Sequence, residues 1–333
     1  MSRMLGRSGI EVSEIGFGCW AIGGPFTDGG QPDGWGEVDD GESAAAIWRA
    51  LDLGVTFFDT ADVYGAGHSE QVLGKALAGQ RDEAVIATKF GYTFDAGQRA
   101  ITGQDSSPGY IRGACRASLR RLGTDRIDLY QLHLGDMPAG QADEVIATLE
   151  ELADEGLIRS YGWSTDDPAR AAVFAGGPHC AAVQHEINVL ADAPEMLAAC
   201  AAHDLASVAR GPLAMGLLTG KYTAVTTLPA DDVRAVQPWV EYFEEGRPAP
   251  AFLARLDAIR DILASGGRTL AQGALGWLLA RSPRVVPIPG IRTVAQAEQN
   301  AAALRTGPLP PAEMAEITRL LGTGGLAEAG ERP

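Results

Sequence analysis

In FFDTADVYGAGHSE, residues 57–70, an apolar run ends on Asp59 and a phenol, Tyr64, follows in a glycine-rich loop. The next two apolar runs, EAVIATK and IDLYQLH, end on Lys89 and His133. An acid, a lysine and a histidine closing three successive strands is a pattern that loop polarity alone does not explain. Neighbouring strands lie about 4.8 Å apart, so Asp59 and Lys89 are expected to pair, the acid keeping a buried lysine charged. Tyr64 is expected to fold back over that pair. A phenol titrates near 10, and an adjacent ammonium lowers that value, which suits a proton donor near neutral pH. His133 is placed to hydrogen-bond either the phenol oxygen or a substrate carbonyl.

The elements that position these groups read as strand–helix repeats. Short runs rich in β-branched and aromatic residues occur at EIGFGCW, TFFDT, EAVIATK, IDLYQLH, RSYGWS, AAVQHE, LASVAR and RVVPIPG. Helical patterns separate them: residues 43–53 ending before Gly54, a helix opened by Ser107 and Pro108 and closed by Gly123, and residues 142–155 ending at Gly156. Asp167 with Pro168, and Pro194 with Glu195, open two more. Eight such units with continuously apolar strands predict an α/β fold, a closed (β/α)8 TIM barrel, with active groups at the strand C-terminal ends. Further strand ends carry Ser164, Gln184 and Arg210 on the same face. An open doubly wound sheet is the alternative, but GFGCWAIGG has the wrong spacing for a dinucleotide fingerprint. Residues 1–13 read as a hairpin turning at Ser8–Gly9, placed to plug the barrel bottom. Residues 222–250 form a connection long enough for a lid, and Pro311–Leu321 reads as an extra C-terminal helix. The whole chain, residues 1–333, is expected to be a single domain.

The chain has 333 residues, 46% of them hydrophobic, and a net charge of −16. That charge argues against a nucleic-acid partner or an anionic membrane surface. Cys19, Cys115, Cys180 and Cys200 are widely spaced and read as reduced thiols. Neither a signal-peptide core nor a long apolar run is present, so a cytoplasmic protein is expected. His179, His185 and Glu186 lack the spacing of metal ligands, and no metal is expected. His68 and His203 read as surface or helix-end residues.

Taken together, FFDTADVYGAGHSEQVLGKAL, VIATK, RLGTDRIDLYQLH, GLIRSYGWST, VQHEIN, RGPLAMGLLTGKY and PIPGIRTVAQAEQN resemble the aldo-keto reductases in order and spacing over nearly the full length. The resemblance implies a catalytic tetrad of Asp59, Tyr64, Lys89 and His133, with Tyr64 the general acid and hydride passing from reduced nicotinamide to an aldehyde or ketone. It implies NADPH/NADP+ as cofactor. Trp20 and Asp59 would be among the residues that contact the cofactor, while Ser164 and Gln184 would hold the nicotinamide carboxamide, with Thr165 in place of a more usual asparagine. Gly211, Leu213, Gly216 and Lys221 would wrap the pyrophosphate. Gly290, Arg292, Gln296, Gln299 and Asn300 would grip the 2′-phosphate and adenine, a glycine turn opening a helix whose N-terminus suits phosphate.

Departures from the family pattern are Arg210, where an aromatic usually lies below the nicotinamide, and Leu134, where tryptophan often follows the histidine. Arg210 either stacks under the ring or swings away to pair with an acid or the pyrophosphate. Trp20, Trp35 and Phe90, with Tyr64 and His133, are the candidate substrate walls. Two other activities are compatible with the same residues: a Schiff-base lyase using Lys89, and an NADPH-sensing subunit with slow turnover. The substrate and the oligomeric state are left open.

Overall fold

The structure, a computed structural model, describes residues 2–322. Eight parallel strands form its centre: β1 (Phe17–Gly18), β2 (Phe57–Asp59), β3 (Val85–Phe90), β4 (Leu129–Leu132), β5 (Tyr161–Ser164), β6 (Cys180–Glu186), β7 (Ala206–Arg210) and β8 (Val285–Pro287). They neighbour one another in chain order. Between β8 and β1 the ring closes through Gly16 N–H to Pro287 O at 2.8 Å, Gly18 N–H to Pro289 O at 2.9 Å and Ile291 N–H to Gly18 O at 3.2 Å. Closure leaves no unpaired edge, the usual reason an eight-stranded parallel sheet curls into a barrel.

Helices α1 (Asp40–Asp52), α2 (His68–Ala76), α3 (Pro108–Leu122), α4 (Ala142–Asp154), α5 (Pro168–Phe174) and α6 (Pro194–His203) follow the first six strands. Beyond β7 come α7 (Pro250–Leu263) and α8 (Leu270–Arg281), and after β8 come α9 (Val294–Ala301) and α10 (Pro311–Leu321). The caps expected at Ser107 and Asp167 form, each side chain accepting from a first-turn amide. Two helix starts differ from expectation. The first helix begins at Asp40 because Asp39 accepts from Gly41 N–H and Glu42 N–H. The helix near Gly290 starts at Val294, capped by the Thr293 hydroxyl, so the glycine turn precedes it without opening it.

Strand periodicity separates two cores. Phe57, Ala87, Leu129, Ala182, Ala206, Val208 and Val286 point into the barrel, while Phe58, Ile86, Tyr130, Trp163 and Val183 face the helices. The N-terminal hairpin, Ser2–Met4 against Glu11–Ser13, seals the bottom of the barrel with Leu5, Ile10 and Val12. It approaches so closely that a Cβ at Gly6 would stand 2.2 Å from Ala181 O, and Gly6 is left-handed at φ +51°. Arg7 donates to Ala175 O, Gly177 O and Cys180 O, capping carbonyls that the barrel leaves open. With the bottom filled by apolar groups, a reacting molecule has only the opposite mouth to enter.

Candidate active site

Above the apolar layer four strands turn a polar residue inward: Asp59 on β2, Lys89 on β3, Gln131 on β4 and Gln184 on β6, all fully or almost fully buried. Lys89 Nζ donates to Asp59 Oδ1 at 2.6 Å, to Thr60 O at 2.8 Å and to the Tyr64 hydroxyl oxygen at 3.2 Å. The other Asp59 oxygen accepts from Gln184 Nε2 at 2.8 Å and from Gln131 Nε2 at 3.1 Å. A charged pair taken out of water survives when its remaining lone pairs and protons are satisfied, and here nearly all are. Burial alone would lower the pKa of Lys89, but Asp59 and Tyr64 more than offset it and the ammonium is retained.

Tyr64 reaches this pair from the β2–α2 loop. The turn after it passes against Gly23 so tightly that a Cβ at Gly65 would lie 1.8 Å from Gly23 O, and Gly65 sits at φ +60°. The expectation for its acidity is corrected. Burial pushes the phenol above its usual value, and the lowering by Lys89, itself opposed by Asp59, does not overcome it. Tyr64 therefore keeps its proton at neutral pH. The His133 ring meets the Tyr64 ring edge-on at 5.8 Å between centroids and makes no hydrogen bond to the phenol. Its Nδ1 is buried without a partner, and burial, then Lys89 and Arg210, hold its pKa well below the usual imidazole range. His133 is neutral and leaves its polar edge for something not in the protein.

The aromatic wall is larger than expected. Trp20 stacks on Tyr64 at 5.9 Å, on Trp239 from residues 222–250 at 5.9 Å, and meets Trp35 edge-on at 5.2 Å. Phe90 is not part of it. Since Lys89 points inward, its neighbour points outward, and Phe90 is buried against Tyr130 at 4.5 Å. Residues 222–250 do cross the mouth: Arg234, nearly buried, stacks over Trp35, Tyr222 and Phe243 and pairs with Asp232.

Of the two placements for Arg210, the structure shows the second. Its guanidinium pairs with Asp166 and with Glu186, whose carboxylate in turn accepts from the Tyr242 hydroxyl. Gln184 faces the site, but its amide N–H holds Asp59. Thr165 gives its hydroxyl to Gly135 O at 2.8 Å. The Ser164 hydroxyl makes no hydrogen bond among the described residues. Gly211 and Gly216 hold left-handed turns beside Leu213 at the end of β7, and Lys221 is exposed. Arg292 donates to Trp35 O at 3.3 Å, and the Gln296 side chain turns back to accept from Arg292 N–H at 2.9 Å. Gln299 and Asn300 lie on α9, the latter buried; Gly290 is exposed.

Sequence reasoning missed Gln131, Asp33, Asp166, Glu186, Tyr242 and Trp239. Gln131 had a signal, since it lies two residues before His133 on the same face of the strand. Glu186, the last residue of β6 and two after Gln184, had the same signal; Asp33, Asp166, Tyr242 and Trp239 come from loops and carried none. Among the described residues no group of His, Cys, Asp and Glu could hold a metal, and no helix is long and apolar enough to cross a membrane. His185 is buried and bonded to the Ser207 hydroxyl at 2.7 Å. His179 pairs with Glu150 at the surface.

Comparison with known proteins agrees with this fold. The sequence model described as "Aldo/keto reductase family" matches residues 14–321. The chain is 33% identical to aldo-keto reductase YhdN of Bacillus subtilis over 302 residues, covering 88% of this chain and 86% of that protein. It superposes on aldo-keto reductase AKR11C1 from Bacillus halodurans with a TM-score of 0.78 at 31% identity, covering 98% of each chain. An aldo-keto reductase from Klebsiella pneumoniae, solved in complex with NADPH, is similar with a TM-score of 0.69 at 28% identity, covering 96% of this chain and 94% of that one.

Proposed function

This chain belongs to the aldo/keto reductase family, and on that premise we propose that it reduces an aldehyde or ketone with NADPH, Tyr64 delivering the proton. The observation that carries the proposal is the continuous chain Asp59–Lys89–Tyr64, with a neutral, unpartnered His133 beside the phenol. The cofactor supplies the hydride when bound. The substrate oxygen sits between the Tyr64 hydroxyl and one ring N–H of His133. As negative charge grows on that oxygen, Tyr64 passes its proton over, and the ammonium of Lys89 stabilises the phenolate that remains. Asp59 fixes the lysine through one oxygen and keeps it charged, while the amides of Gln131 and Gln184 hold its other oxygen. Running the same steps backwards oxidises an alcohol, with the phenolate as base.

The residues at the mouth suit a dinucleotide phosphate. Basic groups are scarce on a chain of net charge −16, yet Lys221 and Arg292 lie at the two places assigned to the pyrophosphate and the 2′-phosphate. The Arg292 guanidinium keeps donors beyond its bond to Trp35 O, and the first turn of α9 adds amides. Ser164, without a protein partner, is assigned to the carboxamide. Gln184 contributes its oxygen alone, since its amide N–H serves Asp59. Lys89 is a poor candidate for a Schiff base: it is fully buried, held charged, and donates three hydrogen bonds.

The test is the loss of NADPH absorbance with a panel of aldehydes and ketones, with NADH in parallel. A single-turnover measurement on a reactive aromatic aldehyde separates an efficient enzyme from a slow cofactor sensor. Absence of NADPH oxidation with every carbonyl overturns the proposal.

A further inference from the structure

Behind the loop that carries Tyr64, between α2, α3 and the outer face of β3 and β4, lies a buried polar cluster that the reaction does not use. Glu70 on α2 accepts from the Thr88 hydroxyl and from Arg121 Nε on α3, each at 2.6 Å. Arg121 also donates to the Ser118 hydroxyl at 3.2 Å. Asp62, two residues before Tyr64, has no such support. It is almost fully buried, and its Oδ1 has no hydrogen-bond partner among the described residues. The Tyr130 hydroxyl on β4, in the same cluster, is buried and unpartnered there as well. Buried polar atoms are ordinarily paired, through water where the protein does not reach. Two orphans in one cluster mark a place where the position of a proton matters.

Asp62, Glu70 and Arg121 are too confined for all three to be charged at low cost. Two carboxylates facing one guanidinium would leave a net negative charge in a pocket shut off from water. Lys89, the nearby cation on β3, is committed to Asp59, Thr60 O and Tyr64. Glu70 has both oxygens bonded, one of them to the guanidinium, and takes the arginine. The proton therefore belongs on Asp62. Burial, then Glu70, push its carboxyl well above the usual carboxylate range, and Arg121, the Val63 N–H and Lys89 do not bring it back. Burial, then Cys115, Asp62, Glu70 and Tyr110, raise the Tyr130 phenol, so that neighbour is neutral too.

The cluster is joined to the active site through the backbone. Asp62 N–H donates to Lys89 O at 3.2 Å, and Ser69 N–H donates to Tyr64 O at 3.2 Å. Ala61 and Val63, on either side of Asp62, pack in the apolar group that includes Trp20, Tyr64 and Phe94. Arg121 stands over the Phe94 ring at 5.8 Å. Tyr110 on α3 donates to Tyr92 O at 2.6 Å, and the Tyr92 ring meets His133 edge-on at 5.4 Å. We propose that Asp62, as a neutral acid, is a positioning residue for the proton donor: seated beside the Glu70–Arg121 pair, it fixes the turn that sets the Tyr64 oxygen on Lys89. An ionised Asp62 is repelled by Glu70, and the turn that moves to relieve it carries the phenol along. The inference rests on the reductase reading above for its effect on rate, and on the cluster alone for the state of the acid.

Asp62→Asn keeps the shape and neutrality of the protonated acid, whereas Asp62→Ala removes the group. With a reactive aldehyde at neutral pH, kcat should stay close to wild type in Asp62→Asn and fall by about 10–100-fold in Asp62→Ala, the cost of a reacting group displaced by on the order of 1 Å. KM for NADPH should stay near wild type in both. Two readouts need no turnover. The infrared difference spectrum between wild type and Asp62→Asn should show the C=O band of a carboxylic acid. Near-ultraviolet circular dichroism of the Trp20–Tyr64 stack should be kept in Asp62→Asn and weakened in Asp62→Ala. A carboxylate band in place of the acid band, a kcat in Asp62→Asn as low as in Asp62→Ala, or wild-type kcat in Asp62→Ala overturns the proposal. So does a loss of NADPH affinity equal to the loss of kcat, which marks general damage to the fold. If Asp62→Ala does not fold, the infrared band and the Asp62→Asn rate decide. Failure of the wild type to oxidise NADPH with any carbonyl overturns the reductase reading instead, and the infrared and dichroism results then decide the role of Asp62.

Discussion

Lys89 Nζ stands 3.2 Å from the phenol oxygen of Tyr64, and this contact joins a residue of a buried strand to one carried on a loop. Neither side chain has the role alone. The lysine without the phenol is a buried charge held by an acid; the phenol without the lysine has no stabiliser for the charge it leaves behind.

Replacing Tyr64 by Phe keeps the ring and its stack on Trp20 but removes the proton. Turnover with any carbonyl should fall by about 10²–10⁴-fold, the usual contribution of a positioned acid. NADPH affinity, measured by fluorescence titration, should hardly change. Near-wild-type turnover in this variant would remove Tyr64 from the mechanism.

Asp33, on the loop whose backbone carbonyl accepts from Trp20 Nε1, has its pKa raised to about 7 by burial and by Asp28. The unfolded chain ionises this group near 4. The protonated form therefore stabilises the fold fully below pH 4, and that contribution is lost as pH rises towards 7. Asn mimics the neutral acid. Asp33→Asn should match wild type in urea midpoint at pH 4 and exceed it at pH 8, by roughly 1–3 kcal/mol after allowing for partial exposure. A constant difference at both pH values would show that the carboxyl is not perturbed.

Arg210 changes what is expected of the nicotinamide seat. A lone guanidinium under the ring would repel the oxidised, cationic form and favour NADPH. Paired with Asp166 and Glu186, it belongs to a group whose formal charge is +1 − 2 = −1. Wild type should then show no preference for NADPH over NADP+. Arg210→Met should shift binding towards NADP+, and Asp166→Asn towards NADPH, each by about 1–3 kcal/mol. Paired titrations at fixed salt read both. Shifts of the same sign in the two variants would place the cluster away from the ring.

Arg292→Ala should lose about 1.5–3 kcal/mol of NADPH affinity, the worth of a charge-assisted hydrogen bond, with NADH affinity nearly constant. Because Arg292 also donates to Trp35 O, the change in tryptophan fluorescence on adding NADPH should differ between variant and wild type. Equal losses for both cofactors would mean that Arg292 touches a shared phosphate or supports the fold.

The sequence determined the barrel and the shared face of its strand-borne acid, lysine and histidine because both follow from local rules. Apolar runs of strand length bounded by capped helices dictate the repeat, and the period of two along each strand puts Asp59, Lys89, Gln131 and His133 on one face. The same period should have excluded Phe90, since adjacent residues on a strand face opposite ways. What the sequence did not determine are groups whose position depends on how long loops return to the mouth. Asp33, Asp166, Tyr242 and Trp239 have no periodicity to read, and each is placed by contacts between segments far apart in the chain. The acidity of Tyr64 was likewise decided only by the tertiary structure. A phenol beside a lysine reads as acidified, but burial weighs against ionisation and Asp59 cancels part of the ammonium's field. The direction of the net shift is a property of the packed site, and no spacing of residues encodes it.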